Sequence, residues 1–209
     1  MLRFRMLLLL LISLLFLSSS CAIKEYSQLV RTDSAPELNK LFERKHAFIY
    51  KSNALLYGEK VSGILAIRQM PDSSYRVILT SYLGLKFFDF GFDGTDFKVH
   101  KIMDKMDRQI LVEVIKNDFQ LLLMSNVDLS QLESFHNPDT GNYVFRHKTG
   151  KLTQFYFVNN DGALKRIEQF KKRKKKVVIE IKKYRFKSAS EIQLRHLDKK
   201  IDIRLGLLK

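Results

Sequence analysis

The chain has no tryptophan and only one cysteine, Cys21, among its 209 residues. With a single thiol no intramolecular disulfide can form, so a stable fold must rest on a hydrophobic core. A membrane-spanning run is missing too: the apolar stretch at residues 7–17 covers eleven positions, with Ser13 its one polar member. A transmembrane helix needs about 20. Catalytic signatures are equally scarce. The histidines His46, His100, His136, His147 and His196 are scattered, with none in a metal-ligand spacing such as HExxH. There is no GxSxG elbow, no glycine-rich phosphate loop and no cysteine besides Cys21 to act as nucleophile. Asp89 and Asp93, flanking Gly91, could pair as carboxylates, but a solvated strand face accounts for them more simply. An enzyme is not expected, nor is any cofactor or metal.

What is present begins with a leader. Arg3 and Arg5 precede the apolar run, and Ser18, Ser19 and Ser20 lead into Cys21, which is the layout of a signal peptide. The junction resembles a bacterial lipobox, although Ser18 stands where that pattern prefers an aliphatic residue such as Leu17. The expectation is a leader over residues 1–20, a lipidated Cys21 with a polar tether over 21–44, and one domain over 45–209. An ordinary secretory leader is the alternative, with Cys21 cut away or left as a free thiol. After leader and tether about 165 residues remain, enough for one domain burying roughly two-thirds of its chain surface. The formal charge of +15 falls to +13 once Arg3 and Arg5 leave with the leader, which draws the domain to anionic surfaces such as phospholipid or lipopolysaccharide headgroups. An exported, lipid-anchored chain rarely meets nucleic acid, so nucleic acid is not the expected partner.

Residues 22–44 are polar and contain Pro36, with a short helix expected over 37–44. From residue 46 a two-residue period takes over, predicting strands at 46–57, 60–69, 74–82, 85–92 and 96–102. Phe88, Phe90 and Phe92 alternate with Asp89, Gly91 and Asp93, setting three rings on one face. Short breaks at 70–73, 83–84 and 93–94 predict antiparallel hairpins. The period then becomes helical: Ile110, Leu111, Val114, Ile115, Phe119 and Leu122 share one stripe, opened by Asp107 as a candidate N-cap. A second short helix is expected over 128–135, then a turn over 137–142 containing Pro138 and Gly141. Further strands follow at 143–148, 152–159, 163–171, 176–186 and 192–205. In the fourth of these the apolar phase shifts after Ile181, predicting a bulge near Lys182 and Lys183.

This order predicts a mainly β fold: a curved antiparallel sheet forming a half-open β-barrel, its concave face covered by the amphipathic helix. Here the chain resembles the LolA and LolB family of periplasmic lipoprotein carriers and outer-membrane receptors, over most of residues 40–207 in element order. The run LTSYLGLKFFDF, Leu79 to Phe90, is similar to the strand, loop and strand of the LolB branch, in which an apolar side chain beside a glycine projects from the loop. Leu83 and Gly84 occupy those positions, and Tyr82 stands where the family often has proline. The resemblance implies a lipid-anchored outer-membrane lipoprotein, facing the periplasm, that holds acyl chains of lipoproteins or other lipids in its cavity and helps insert them into the membrane. It also implies a soluble periplasmic carrier as partner. A monomer is expected.

Sixteen phenylalanines supply apolar surface without indole donors that need partners. Composition leaves open whether they line a cavity or fill a solid core. The expected cavity and lid residues are Phe88, Phe90, Phe92, Leu111, Val114, Ile115 and Phe119, with Leu83 and Gly84 as a membrane-insertion loop. The cations Lys171, Lys172, Arg173, Lys174, Lys175 and Lys176 lie where two strands meet. They could protect a sheet edge from aggregation or dock on anionic headgroups. A non-catalytic adaptor of an outer-membrane assembly is the rival to the lipid-binding reading.

Overall fold

A computed structural model of the chain describes residue 26 and residues 28–43, 47–185 and 187–208. The expected leader and Cys21 lie outside the described residues. The strands are β1 (Val30–Arg31), β2 (Phe48–Leu56), β3 (Glu59–Gln69), β4 (Tyr75–Thr80), β5 (Lys86–Asp93) and β6 (Asp96–Ile102). After the helix α1 (Gln109–Leu123) come β7 (Glu133–His136), β8 (Tyr143–Thr149), β9 (Leu152–Val158) and β10 (Leu164–Lys171). The chain finishes with β11 (Lys174–Arg185), β12 (Ser188–His196) and β13 (Ile201–Leu207).

All of them join one antiparallel sheet in the order β1-β7-β8-β9-β10-β11-β12-β13-β2-β3-β4-β5-β6. Two hairpin meanders, β2 to β6 and β7 to β13, meet where β13 pairs with β2. The outer strands β1 and β6 do not pair, so the barrel is half open. Buried residues alternate strictly with more accessible ones in β2 and β4, as a sheet with one buried face requires. Register shifts in the β4–β5, β5–β6, β9–β10, β10–β11 and β11–β12 pairs add the bends that let so long a sheet curl. The shift in β11 falls at Lys183, where the phase change predicted it. Gly63 is obligatory for close strand approach: a Cβ there would lie 1.9 Å from the Thr80 carbonyl oxygen.

Helix α1 lies in the concave face. Val114, Ile115, Phe119, Leu122 and Leu123 are buried against the sheet, each worth roughly 1.5 to 3 kcal/mol of transfer free energy. Beneath them Phe88 stacks on Phe90 with ring centroids 4.6 Å apart, and Phe119 meets Phe88 and Phe92 at 6.1 and 6.2 Å. Around these rings the interior is solid.

Several local expectations are corrected. Arg108, in extended conformation and without a side-chain cap, precedes α1, while Asp107 closes a short 3-10 turn over Asp104–Met106. The helix expected over 128–135 is a 3-10 turn, Leu129–Gln131, followed by β7. The Asp128 carboxylate accepts from the Ser130 amide and caps the start of that turn, and pairing with both β1 and β8 holds the residues after it extended. Residues 192–205 form two strands rather than one, because 197–200 bend and β13 folds back on β12. The bend lacks glycine and proline, which hid it. No helix forms over 37–43. Instead this part of the expected tether enters the fold, with Leu38 and Phe42 buried and Phe42 against Phe48 and Tyr50. Pro36 and Glu37 pack beside Gly162 in the β9–β10 connector, so the segment closes the end of the half-barrel where that connector lies.

Candidate functional site

The opposite end of the half-barrel is open. A cavity of about 810 Å³ lies there, between the β2–β3 hairpin, the start of β5 and the chain entering α1. That volume falls within the range of small-molecule sites, about 300 to 1,000 Å³. Its wall is apolar, built from Leu56, Val61, Phe87, Met103, Met106 and Leu111. Lys60, Lys105 and Arg108 stand at its margin with Glu59. Ile110, also lining it, is 71% exposed on the first turn of α1. An apolar wall with a mostly cationic margin suits an amphiphile with an acidic head.

Phe87 reaches the cavity because of a backbone irregularity. Leu79 pairs with Phe88 and Thr80 with Lys86, so Phe87 is skipped in the ladder. Its carbonyl instead accepts from the Met103 amide at 2.8 Å, which ties β5 to the chain leading into α1. The bulge lets two consecutive phenylalanines serve the interior, Phe88 in the packed core and Phe87 at the cavity.

Of the residues expected to form cavity and lid, only Leu111 lines this space. Phe88, Phe90, Phe92, Ile115 and Phe119 belong to the solid core, because ring-to-ring contacts fill the volume on the β5 side of α1, while Val114 lines a second, smaller cavity of about 360 Å³ between α1 and strands β9 to β12. The larger cavity sits one step away, under the first turn. Leu56, Val61, Phe87, Met103 and Met106 were not singled out by periodicity. The signals available were the FF pair at 87–88 and the two methionines just before the helical stripe.

The loop between β4 and β5 opens at the same end as the cavity. The Ser81 amide donates to the Leu85 carbonyl at 2.7 Å, the Gly84 amide donates to the Ser81 carbonyl at 3.0 Å, and the Leu85 amide donates to Ser81 Oγ at 3.1 Å. Gly84 takes a φ of +82°, which a residue with a Cβ rarely adopts. This closed turn leaves Leu83 98% exposed, with Tyr82 and Leu85 exposed beside it.

The lysine run divides in two. Lys175 Nζ lies 2.9 Å from the buried Glu168, and Lys176 Nζ 2.6 Å from Asp198. Lys171, Lys172, Arg173 and Lys174 form the exposed β10–β11 tip. Neither Asp89 nor Asp93 forms a carboxylate pair. Asp89 is buried, not solvated, and holds Arg76 at 2.8 Å and Lys86 at 2.7 Å. The Arg76 guanidinium, with Lys86 adding to it, brings its carboxyl down to about 2. Asp93 ends β5 at the far end of the sheet and is exposed. Among the described residues no group of three or more His, Cys, Asp or Glu side chains is placed to hold a metal ion. No described helix is long and apolar enough to cross a membrane.

No known family model matches the sequence, and no curated protein matches it. Solved structures show a likeness of outline. A DUF1329 family protein from Desulfovibrio piger aligns over 79% of this chain and 85% of its own, at 9% identity and a TM-score of 0.46. A domain described as that of an outer membrane lipoprotein-sorting protein, from Vibrio parahaemolyticus, aligns over 80% of this chain and 86% of its own, at 10% identity and a TM-score of 0.42. At this level the chain is similar to both in general architecture, and neither assigns it a ligand.

Proposed function

We propose that this protein is a lipid-anchored receptor of the LolB kind, non-catalytic, which takes the acyl chain of a lipoprotein or other lipid into the cavity under the first turn of α1 and passes it to the membrane. The observation that carries the reading is the apolar cavity itself, open at the end where Leu83 and Ile110 are exposed. Each methylene moved from water into such a space gains about 0.8 kcal/mol, whereas movement from one apolar site to another is nearly neutral. Shielding is therefore the whole task, and no bond is made or broken. Lys60, Lys105 and Arg108 meet the polar end of the cargo. Leu83, held out on a closed turn, enters the bilayer or meets the incoming chain. Acylated Cys21 anchors the protein, a soluble periplasmic carrier supplies the cargo, and the receptor acts as a monomer at the outer membrane.

The test is mass spectrometry of organic extracts from the purified protein. Fatty-acyl species at near one per chain are expected, and Val61→Arg, which puts a charge in the cavity wall, should lose them while keeping its fold. Extracts free of acyl chains, with no uptake of a fluorescent fatty-acid analogue, would favour the structural adaptor instead.

A further inference from the structure

In an antiparallel meander, alternate connectors lie at the same end of the sheet. The end at which the cavity opens collects the β8–β9, β10–β11, β12–β13, β2–β3 and β4–β5 connectors. Backbone hydrogen bonds stitch four of these tips side by side. The Lys172 amide donates to the Lys151 carbonyl at 2.8 Å, the Leu197 amide to the Lys176 carbonyl at 2.9 Å, and the Tyr57 amide to the Lys200 carbonyl at 2.8 Å. The run of lysines read in the sequence is thus the centre of a longer rim. Lys151, Lys172, Arg173, Lys174, Lys199 and Lys200 are all exposed along it. Its one acid, Asp198, is held by Lys176. The acids Glu59, Asp104 and Asp107 lie farther on, around the cavity, and Asp128 lies on the other side, near His147.

The opposite end has the reverse character. Its connectors carry the exposed acids Asp72, Asp93, Asp96, Asp139 and Asp161, with Arg185 and Lys187 as their bases. Apolar exposure is polarised in the same sense. Among the described residues, large hydrophobic side chains exposed at the basic end include Tyr57, Tyr82, Leu83, Leu85, Ile110 and Leu197. Charge and grease coincide on one edge.

From this polarity we infer that the stitched rim from Lys151 to Lys200 seats on an anionic phospholipid bilayer and fixes the domain with its cavity mouth against the lipid. The inference deepens, and rests on, the reading of the protein as a membrane lipid receptor. Cations at the surface are drawn to the anionic leaflet, and the apolar tips between them enter its headgroup zone. The acidic end is repelled, so one orientation is selected. The N-terminal segment fits this seating. Tyr26 packs on Phe155 and Phe170 at 5.0 and 5.7 Å, on the outer face just below the Lys172 tip. Five residues span at most about 18 Å, so a lipid on Cys21 would leave the domain beside the rim.

The absence of tryptophan makes the test free of background. Leu197 and Leu208 are matched in exposure, 53% and 54%, and lie at opposite ends of the sheet. The full chain carrying Leu197→Trp or Leu208→Trp is reconstituted in vesicles containing brominated lipid, of phosphatidylcholine alone or with phosphatidylglycerol. The tryptophan at 197 should be quenched on the anionic vesicles only, and the one at 208 on neither. Salt near 1 M, where the Debye length is about 3 Å, should remove the quenching. Adding Lys172→Glu, Arg173→Glu, Lys199→Glu and Lys200→Glu should reduce the 197 signal to that of 208. Equal quenching at both positions, equal quenching on both kinds of vesicle, or none on either overturns the seating, including the case in which the rim holds an acidic protein. Fatty-acid uptake, measured on the same samples, tests the cavity separately: if it fails while position 197 is quenched, the receptor reading falls and the rim stands.

Discussion

His196 Nε2 lies 2.8 and 3.0 Å from the two carboxylate oxygens of Asp118, and both side chains are almost fully enclosed between α1 and β12. Burial pushes the Asp118 carboxyl up, and the hydrogen bond and charge of His196 oppose it. The pair is a polar link between α1 and the sheet. Asp118→Ala would leave the imidazole buried without its partner, at a cost of about 3 to 5 kcal/mol. Asp118→Asn keeps an acceptor and should cost less. Urea unfolding of the two variants checks the order.

Asp89 gives the fold a specific acid sensitivity. Its carboxyl titrates at about 2 in the folded protein, well below the ordinary value of 3.8, through Arg76 first and then Lys86. Because the folded value is depressed, the stabilisation is complete above pH 4 and is lost as pH falls from about 4 towards 2. The shift corresponds to about 2 kcal/mol. Asp89→Asn should flatten the stability profile in that window, measured by denaturant unfolding between pH 2 and pH 5.

Gly63→Ala tests the curvature of the sheet. A methyl 1.9 Å from the Thr80 carbonyl oxygen forces β3 and β4 apart, and overpacking of this kind costs about 1 to 3 kcal/mol or more. Thermal unfolding should show a clear fall in midpoint. Gly206→Ala, with open space at its Cβ position, is the control and should be nearly neutral.

Leu83→Glu separates membrane contact from folding. A side chain 98% exposed contributes little to the core, so stability should stay within about 0.5 kcal/mol of the parent. Insertion of a leucine into bilayer is worth roughly 1.5 to 3 kcal/mol, and the variant should deliver lipoprotein to vesicles poorly. Normal delivery in a transfer assay would end the membrane role for this residue.

The sheet was legible because a two-residue period with one buried face is hard to disguise: β2 to β6 lie where alternation put them. The stripe from Ile110 to Leu122 likewise marked α1, although Ile110 at its head is exposed. Other features were not legible. The bend at 197–200 has no glycine or proline, so β12 and β13 read as one strand. Phe42 looked like part of a tether because charged and polar residues flank the Leu41–Phe42 pair, yet it is 0% exposed. The cavity was expected beneath the three alternating rings, but alternation reports only that a residue faces inward. Whether inward-facing groups touch or leave a gap depends on their partners, here Phe119 against Phe88 and Phe92. Phe87, brought in by a bulge, breaks the period that would have revealed it.

The central claim is that the space lined by Leu56, Val61, Phe87 and Met106 holds an acyl chain. Titration of the protein with saturated fatty acids of increasing length, by displacement of a fluorescent analogue, tests it most directly. Affinity should rise steadily with each added methylene, by up to about 0.8 kcal/mol or nearly fourfold, until the chain fills the cavity and the gain stops. Val61→Arg should abolish the series. An affinity that does not depend on chain length, or that survives a charge in the cavity wall, would contradict the account.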